Sequence, residues 1–359
     1  MFLKELSLTN YKNFDSVKFN FNTKIVCFVG LNGVGKTNIL DSIYHLSYTK
    51  SYFNPIPSQN IKHDEDFFFI SGVYNCDEKD ESILISLKRG EKKRVKRNNK
   101  IYKKFSDHIG FIPLVIISPD DRNLIIEGSE TRRKFIDGLI SQIDKEYLNK
   151  LIDYNKTLKQ RNALLKMFYN ESEKIKKTID IYDNSLSNSA SIIINKRTQF
   201  LKEFIPIFKQ RYNQLSNEKE VVEIEYKTDL EDNLNLYQIL KNNINKDIRY
   251  QYTTKGIHKD DMIFLIDKYS VKKFGSQGQQ KTFLIALKLA QFDYLSKLNK
   301  NPILLLDDIF DKLDDDRVEK IVDLVNEDSF KQIFISDTNK KRSEEIIKKV
   351  NKSYEIFEI

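Results

Sequence analysis

Ile25-Val-Cys-Phe-Val-Gly-Leu-Asn-Gly-Val-Gly-Lys-Thr-Asn-Ile-Leu40 is the stretch on which the fold turns. Five apolar residues, Ile25 to Val29, read as a buried strand; Gly30, Gly33 and Gly35 let the backbone double back; Thr37 onward reads as an amphipathic helix. That order builds a cradle for phosphate. Glycines let successive N–H groups converge, and the helix N-terminus adds partial positive charge where a phosphate would sit.

Gly30-Leu31-Asn32-Gly33-Val34-Gly35-Lys36-Thr37 matches the phosphate-loop pattern G-x-x-x-x-G-K-[ST]. In that pattern the loop backbone wraps the phosphates, the lysine (here Lys36) reaches the β and γ phosphates, and the hydroxyl (here Thr37) ligates Mg²⁺. ATP with Mg²⁺ is the expected cofactor pair. A chance glycine-rich turn is the competing reading, and the readable strand and helix on either side argue against it.

Upstream, Phe2 to Leu8 and Val17 to Phe21 alternate apolar and polar residues and predict an antiparallel hairpin feeding the phosphate-loop strand. Lys12 and Asn13 fall at its tip, which makes Lys12 a candidate nucleotide contact; a plain solvated turn is the alternative. Downstream, strands are expected at Asp66 to Asn75 and Ser82 to Lys88, then a hairpin turning at Asn98-Asn99.

That hairpin concentrates the charge of the chain. The 359 residues carry 60 basic and 52 acidic side chains, net +8. Lys88 to Lys104 alone holds ten bases against Glu91, a local +9, so everything else sums to −1. A solvated edge that discourages sheet aggregation needs fewer cations than this. Lys92, Lys93, Arg94, Lys96 and Arg97 are candidates for contact with a nucleic-acid backbone. Cys27 and Cys76 show no metal-ligand spacing and suit a reducing compartment. No apolar run approaches the roughly 20 residues of a membrane span, so a cytoplasmic, nucleoid-associated protein is expected.

Phe111 to Ile117 reads as a buried strand closed by Ser118-Pro-Asp-Asp121. From Glu130 to about Tyr212 helical periodicity dominates, and breaks are expected near Asn170 and near Asp183 to Ser191, with a kink at Pro206. No heptad run is long enough for an extended coiled-coil arm, so a short lobe is expected. Glu220 to Tyr226 reads as a strand, Leu234 to Ile244 as a helix, and Gly256-Ile-His-Lys-Asp-Asp261 leads into another strand. His258 reads as a hydrogen-bonding residue sooner than a catalytic one.

Asn301-Pro-Ile-Leu-Leu-Leu-Asp-Asp308 is an apolar strand that delivers two carboxylates at its C-terminal end, where a doubly wound sheet places Mg²⁺ and an attacking water. Asp307 is the candidate for the metal shell and Asp308 for orienting or deprotonating water, in company with Lys36 as the charge on the transferred phosphate. Between the phosphate loop and this strand lies Phe274-Gly-Ser-Gln-Gly-Gln-Gln280. Ser276 reads as the N-cap of a helix over Thr282 to Leu298, and Gly275 and Gly278 permit close approach. This is a second site suited to an anion.

Ser276-Gln-Gly-Gln279 resembles the signature motif of ABC-type ATPases, and Asp307-Asp308 with Lys312-Leu-Asp314 resembles their Walker B and D-loop. Lys331 to Asp337 fits their final sensor position, without the histidine usual in transporters. More narrowly, Leu-x-Leu-x-Asn-Tyr-Lys-Asn-Phe14, the phosphate loop, Ser-Pro-Asp-Asp121, Arg132-Arg-x-Phe-Ile-Asp137, Gly-Ile-His-Lys-Asp-Asp261 and Phe-Gly-Ser-Gln-Gly-Gln-Gln280 resemble, in order and over nearly the whole chain, the RecF family of bacterial repair ATPases. Lys12 and Lys259 stand where that family usually has arginine, and Ile257 where it has proline.

The resemblance implies an α/β fold: an ABC-type ATPase head, with a phosphate-loop sheet and an antiparallel β subdomain, made of residues 1–118 and 256–359, plus a mostly helical lobe at 119–255. It implies slow, DNA-stimulated ATP hydrolysis and ATP-driven homodimerisation in which Ser276, Gly278 and Gln279 close over the partner's nucleotide. It also implies binding of duplex and single-strand gap junctions, and work with RecR and RecO in RecA loading. Three other readings share parts of this machinery: an ABC transport subunit, an SMC-like structural DNA clamp and a small-molecule kinase.

Overall fold

The computed structural model describes residues 1–167, 172–216, 220–230, 235–309, 330–348 and 353–359. Eight strands precede the helical stretch: β1 (Phe2–Tyr11), β2 (Phe14–Asn20), β3 (Ile25–Val29), β4 (Phe67–Cys76), β5 (Lys79–Lys88), β6 (Arg94–Arg97), β7 (Lys100–Ile101) and β8 (Leu114–Ile117). Within it come β9 (Val222–Lys227), β10 (Asp261–Ile266) and β11 (Tyr269–Ser270); after it, among the described residues, come β12 (Ile303–Asp307), β13 (Ile333–Asp337) and β14 (Tyr354–Glu358). The chain forms two compact units, residues 1–121 with 287–359, and residues 122–286.

The first unit holds two sheets. One is antiparallel in the order β2-β1-β4-β5-β6-β7; the other is parallel in the order β14-β3-β13-β12-β8. All five residues of β3 and of β12 are buried, as expected of strands covered on both faces, whereas β1 and β4 alternate. The helix Lys36–Tyr48 shares one core with both sheets, including Leu6, Tyr11, Phe28, Ile39, Ile70 and Phe334. A buried amide ties the layers together: Gln332 donates to the Leu3 carbonyl (2.9 Å) and accepts from the Leu3 N–H (2.7 Å). Asp121, from the Ser-Pro-Asp-Asp turn, is buried against Lys288 at 2.7 Å and accepts from the Tyr52 hydroxyl at 2.6 Å.

The second unit packs the helices Ser129–Ile143, Lys145–Met167 and Ser172–Ser216 with the antiparallel sheet β11-β10-β9. Two expectations change here. The helix expected to break at Asp183 to Ser191 continues through it, with Pro206 also inside the same helix. Its polar side chains find partners that a break would waste: Asp183 receives buried Arg161 at 2.5 Å, and Ser187 bonds Asn235. The break expected near Asn170 lies outside the described residues. The second unit also extends past residue 255, because β10 pairs along its length with β9, and the boundary falls at Ala286 inside the helix Gln277–Lys297. No helix among the described residues is long and apolar enough to cross a membrane.

Candidate functional site

The phosphate loop sits where β3 ends and the helix from Lys36 begins, and Gly35, at φ 115°, makes the turn between them. Gly30 lies against the Ile359 carbonyl, which would stand 2.6 Å from a Cβ at this position. Leu31 is exposed, and Lys36 folds inward, donating to the carbonyls of Gly30 (2.7 Å) and Leu31 (2.8 Å). Asn32, Gly33, Gly35, Lys36, Thr37, Asn38, Asp308 and Ser336 line a cavity of about 210 Å³.

Residues far apart in sequence meet on its floor. Parallel pairing sets Asp307 opposite Ser336. The Thr37 hydroxyl (2.9 Å) and the Ser336 hydroxyl (2.7 Å) both donate to Asp307 Oδ1, and the Asp308 N–H donates to Ser336 Oγ (3.0 Å). Burial raises the Asp307 pKa, and the neighbouring Asp308 adds to this, while the two hydroxyls oppose it. Asp308 takes a left-handed backbone, φ 49°, and is one of the residues that line the cavity. The donor set, one carboxylate and one hydroxyl beside room for phosphate oxygens, fits Mg²⁺, a hard cation that takes few protein ligands.

At the hairpin tip the structure redirects an expectation. Lys12 places its ammonium 2.6 Å from Asp41, which is fully buried and also accepts from Tyr11 (2.9 Å), Ser51 (2.6 Å) and the Tyr52 N–H (2.7 Å). Burial of that carboxylate demands a counter-ion, and Lys12 supplies it. The tip residue that touches the phosphate loop is Asn13, which donates to the Val34 carbonyl at 2.8 Å and accepts from Asn38 at 2.7 Å.

The signature helix starts at Gln277, five residues before the expected Thr282. Ser276 and Gln279 form a reciprocal capping box: the Gln279 N–H donates to Ser276 Oγ (3.2 Å) and the Ser276 N–H to Gln279 Oε1 (2.7 Å). Gln279 also donates to Glu220 (2.7 Å), and Gln280 to the Gly275 carbonyl (3.0 Å). Gly278 lies in the first helical turn, half-buried, and Ser276 is exposed. Helix capping thus explains the glutamines as well as the serine.

A profile of an AAA domain, described as a putative AbiEii toxin of a type IV toxin–antitoxin system, matches residues 25–336. A protein of Flavobacterium johnsoniae named DNA replication and repair protein RecF is 55% identical over 360 residues, covering all of both chains. The chain belongs to the RecF family. A solved structure of the recombination mediator protein RecF with ATPrS, from the RecFOR pathway, superposes with a TM-score of 0.89 at 32% identity, covering 100% of this chain and 96% of that one. An Smc head bound to the winged-helix domain of ScpA, at 16% identity and TM-score 0.56 over 95% of this chain and 90% of that chain, shares the fold. The fold is that of the RecF ABC-type ATPase head, as the resemblance implied.

Two motifs that carry the RecF likeness meet in the second unit. Arg132 forks onto Asp261 (2.7 and 3.0 Å), and buried Arg197 joins Asp137 (2.8 Å) to Asp260 (2.9 Å). His258 bonds Tyr154 (2.9 Å) and the Thr253 carbonyl (3.0 Å), and burial lowers its pKa to about 4. These residues hold the helices to β10. Asp337, at the sensor position, is buried and bonds Ser343 (2.6 Å) and Arg342. The expected D-loop at Lys312 to Asp314 lies outside the described residues.

The basic hairpin forms as β6 and β7, with Asn98 and Asn99 both at positive φ, the turn that suits the strand twist. Its five candidates are not equivalent. Arg97 pairs with Glu81 (2.8 Å) and stacks 3.7 Å over Phe111; Lys93 reaches the Thr49 carbonyl over the Phe105 ring, and burial lowers its pKa. Arg94 makes an exposed pair with Glu91, and Lys92 and Lys96 make no ion pair among the described residues.

Proposed function

We propose that this protein is an ATP-hydrolysing DNA-repair protein whose nucleotide cycle controls its hold on DNA. The observation that carries the reading is the convergence of Thr37, Asp307 and Ser336 beneath a glycine loop, with Asp308 beside them. Lys36 would leave the Gly30 and Leu31 carbonyls for the β and γ phosphates, and the loop N–H groups would hold the remaining oxygens. Thr37 and Asp307 would hold Mg²⁺, which supplies neutralisation of charge developing on the phosphates. Asp308 would orient and deprotonate the attacking water.

Relatives named DNA replication and repair protein, and a RecF structure placed in the RecFOR pathway, support a role in DNA repair; single-strand gaps are the DNA on which we expect it to act. On this reading ATP brings two copies together, exposed Ser276 and half-buried Gly278 close over the partner's nucleotide, and hydrolysis releases the pair. Gln279 exchanges its bond to Glu220 for that role. RecR and RecO are the expected partners, RecA loading the outcome, and the cytoplasm the site of action. Duplex DNA meets the β6–β7 hairpin.

Light scattering with and without ATP and gapped DNA tests this, using Asp308→Asn as the trapped form. The variant should be dimeric in ATP and remain so. A monomer at saturating ATP and Mg²⁺ contradicts the cycle; turnover that ignores DNA contradicts its coupling to DNA.

A further inference from the structure

We propose that Asn13, at the tip of the β1–β2 hairpin, is a positioning residue that aims the Gly35 N–H at the nucleotide phosphates; this rests on reading the glycine loop as the ATP site. The Val34 carbonyl can only accept, so the Asn13 atom 2.8 Å away is the amide nitrogen, and its oxygen faces the Asn38 amide at 2.7 Å. Asn38 therefore fixes the rotamer of Asn13, and Asn13 fixes the direction of the Val34 carbonyl.

The peptide plane does the rest. Among the described residues no peptide bond is cis, so the Val34 C=O and the Gly35 N–H lie in one plane and point in opposite directions. Asn13 occupies the carbonyl side. The N–H is left facing the other way, and Gly35 lines the cavity while Asn13 does not. Gly35 is held there from behind: a Cβ on it would stand 2.5 Å from Asn13 Nδ2 and 2.8 Å from the Phe14 ring.

The hairpin tip is in turn anchored. The Lys12 N–H donates to the Asn60 carbonyl and the Lys62 N–H to the Asn10 carbonyl, 2.9 Å each, and Lys12 grips buried Asp41. A loop of glycines, free to rotate its peptides, is thus given one preset donor by a rigid neighbour. Preorganisation of this kind is worth about one hydrogen bond, or about tenfold in affinity.

The test is Asn13→Asp, which keeps shape and the bond from Asn38 but cannot donate to Val34. Titration of the full-length protein with ATP and Mg²⁺ should show Kd about tenfold above that of the parent. In protein labelled with ¹⁵N-glycine, the Gly35 amide signal should move less on adding ATP. Asn13→Leu, similar in size and without the added charge, should raise Kd to the same extent. A parental Kd or an undiminished Gly35 shift in Asn13→Leu overturns the proposal. Failure of the unaltered protein to bind ATP would overturn the ATP-site reading instead.

Discussion

Replacing Lys92, Arg94 and Lys96 together by alanine should flatten the salt dependence of duplex binding. Each phosphate contact contributes about −0.9 to the slope of log Kobs against log salt, so three lost contacts reduce it by about 2.7. Between about 50 and 200 mM salt the affinity of the unaltered protein should fall about 40-fold more steeply than that of the triple variant. Fluorescence anisotropy with a labelled duplex measures both slopes. The structure supplies an internal control in Arg97→Ala, because Arg97 is committed to Glu81 and Phe111. That change should cost about 1 kcal/mol of stability through the lost pair and ring contact, and leave the slope alone. If the triple variant keeps the parental slope, the hairpin is not where DNA lies; if Arg97→Ala changes the slope as much, Arg97 meets DNA in spite of its contacts with Glu81 and Phe111.

Arg197→Met should destabilise the helical unit by about 3–5 kcal/mol in denaturant melts, since it leaves Asp137 and Asp260 without their shared cation; a loss below about 1 kcal/mol would show that the buried pair is dispensable. His258, held near pKa 4 by burial against an ordinary 6.5, refuses a proton that the unfolded chain accepts. Its contribution is complete above pH 6.5 and is lost as pH falls towards 4, by about 3 kcal/mol; melting temperatures of His258→Asn should therefore decline less across that window than those of the parent, and parallel curves would refute this. Ser336→Ala removes the bond to Asp307 and the acceptor for the Asp308 N–H, so kcat for ATP should drop about tenfold with little change in ATP affinity; an equal rise in KM would place Ser336 in binding instead.

What could be read in the sequence was local. The phosphate loop, the hairpin turn at Asn98-Asn99 and the carboxylates ending β12 each occupy a few consecutive residues whose types dictate backbone shape. Ser276 was also legible as a cap, although the first helical turn was misplaced because two glycines and three glutamines hide its start. What escaped was set by contacts between distant segments. The Asn- and Ser-rich run at Asp183 to Ser191 has the composition of a break, and the partners of Asp183 and Ser187, Arg161 and Asn235, explain why it stays helical. Lys12 and Asn13 are adjacent at one tip, and which of them faces the phosphate loop depends on Asp41, on a different element. Ser336 lies within the sensor stretch Lys331 to Asp337, but its partner is fixed by strand register.

The bond between Thr37 and Asp307 joins positions 270 residues apart. At a ribosomal pace of about 5–20 residues per second, the glycine loop emerges some 14–54 s before its acidic partner is made. Throughout that interval β3 lacks β13, its neighbour in the finished sheet, and is covered only by early elements such as the hairpin that brings Phe19 and Phe21 onto Phe28. A newborn chain therefore completes the floor of the glycine loop only late in its synthesis.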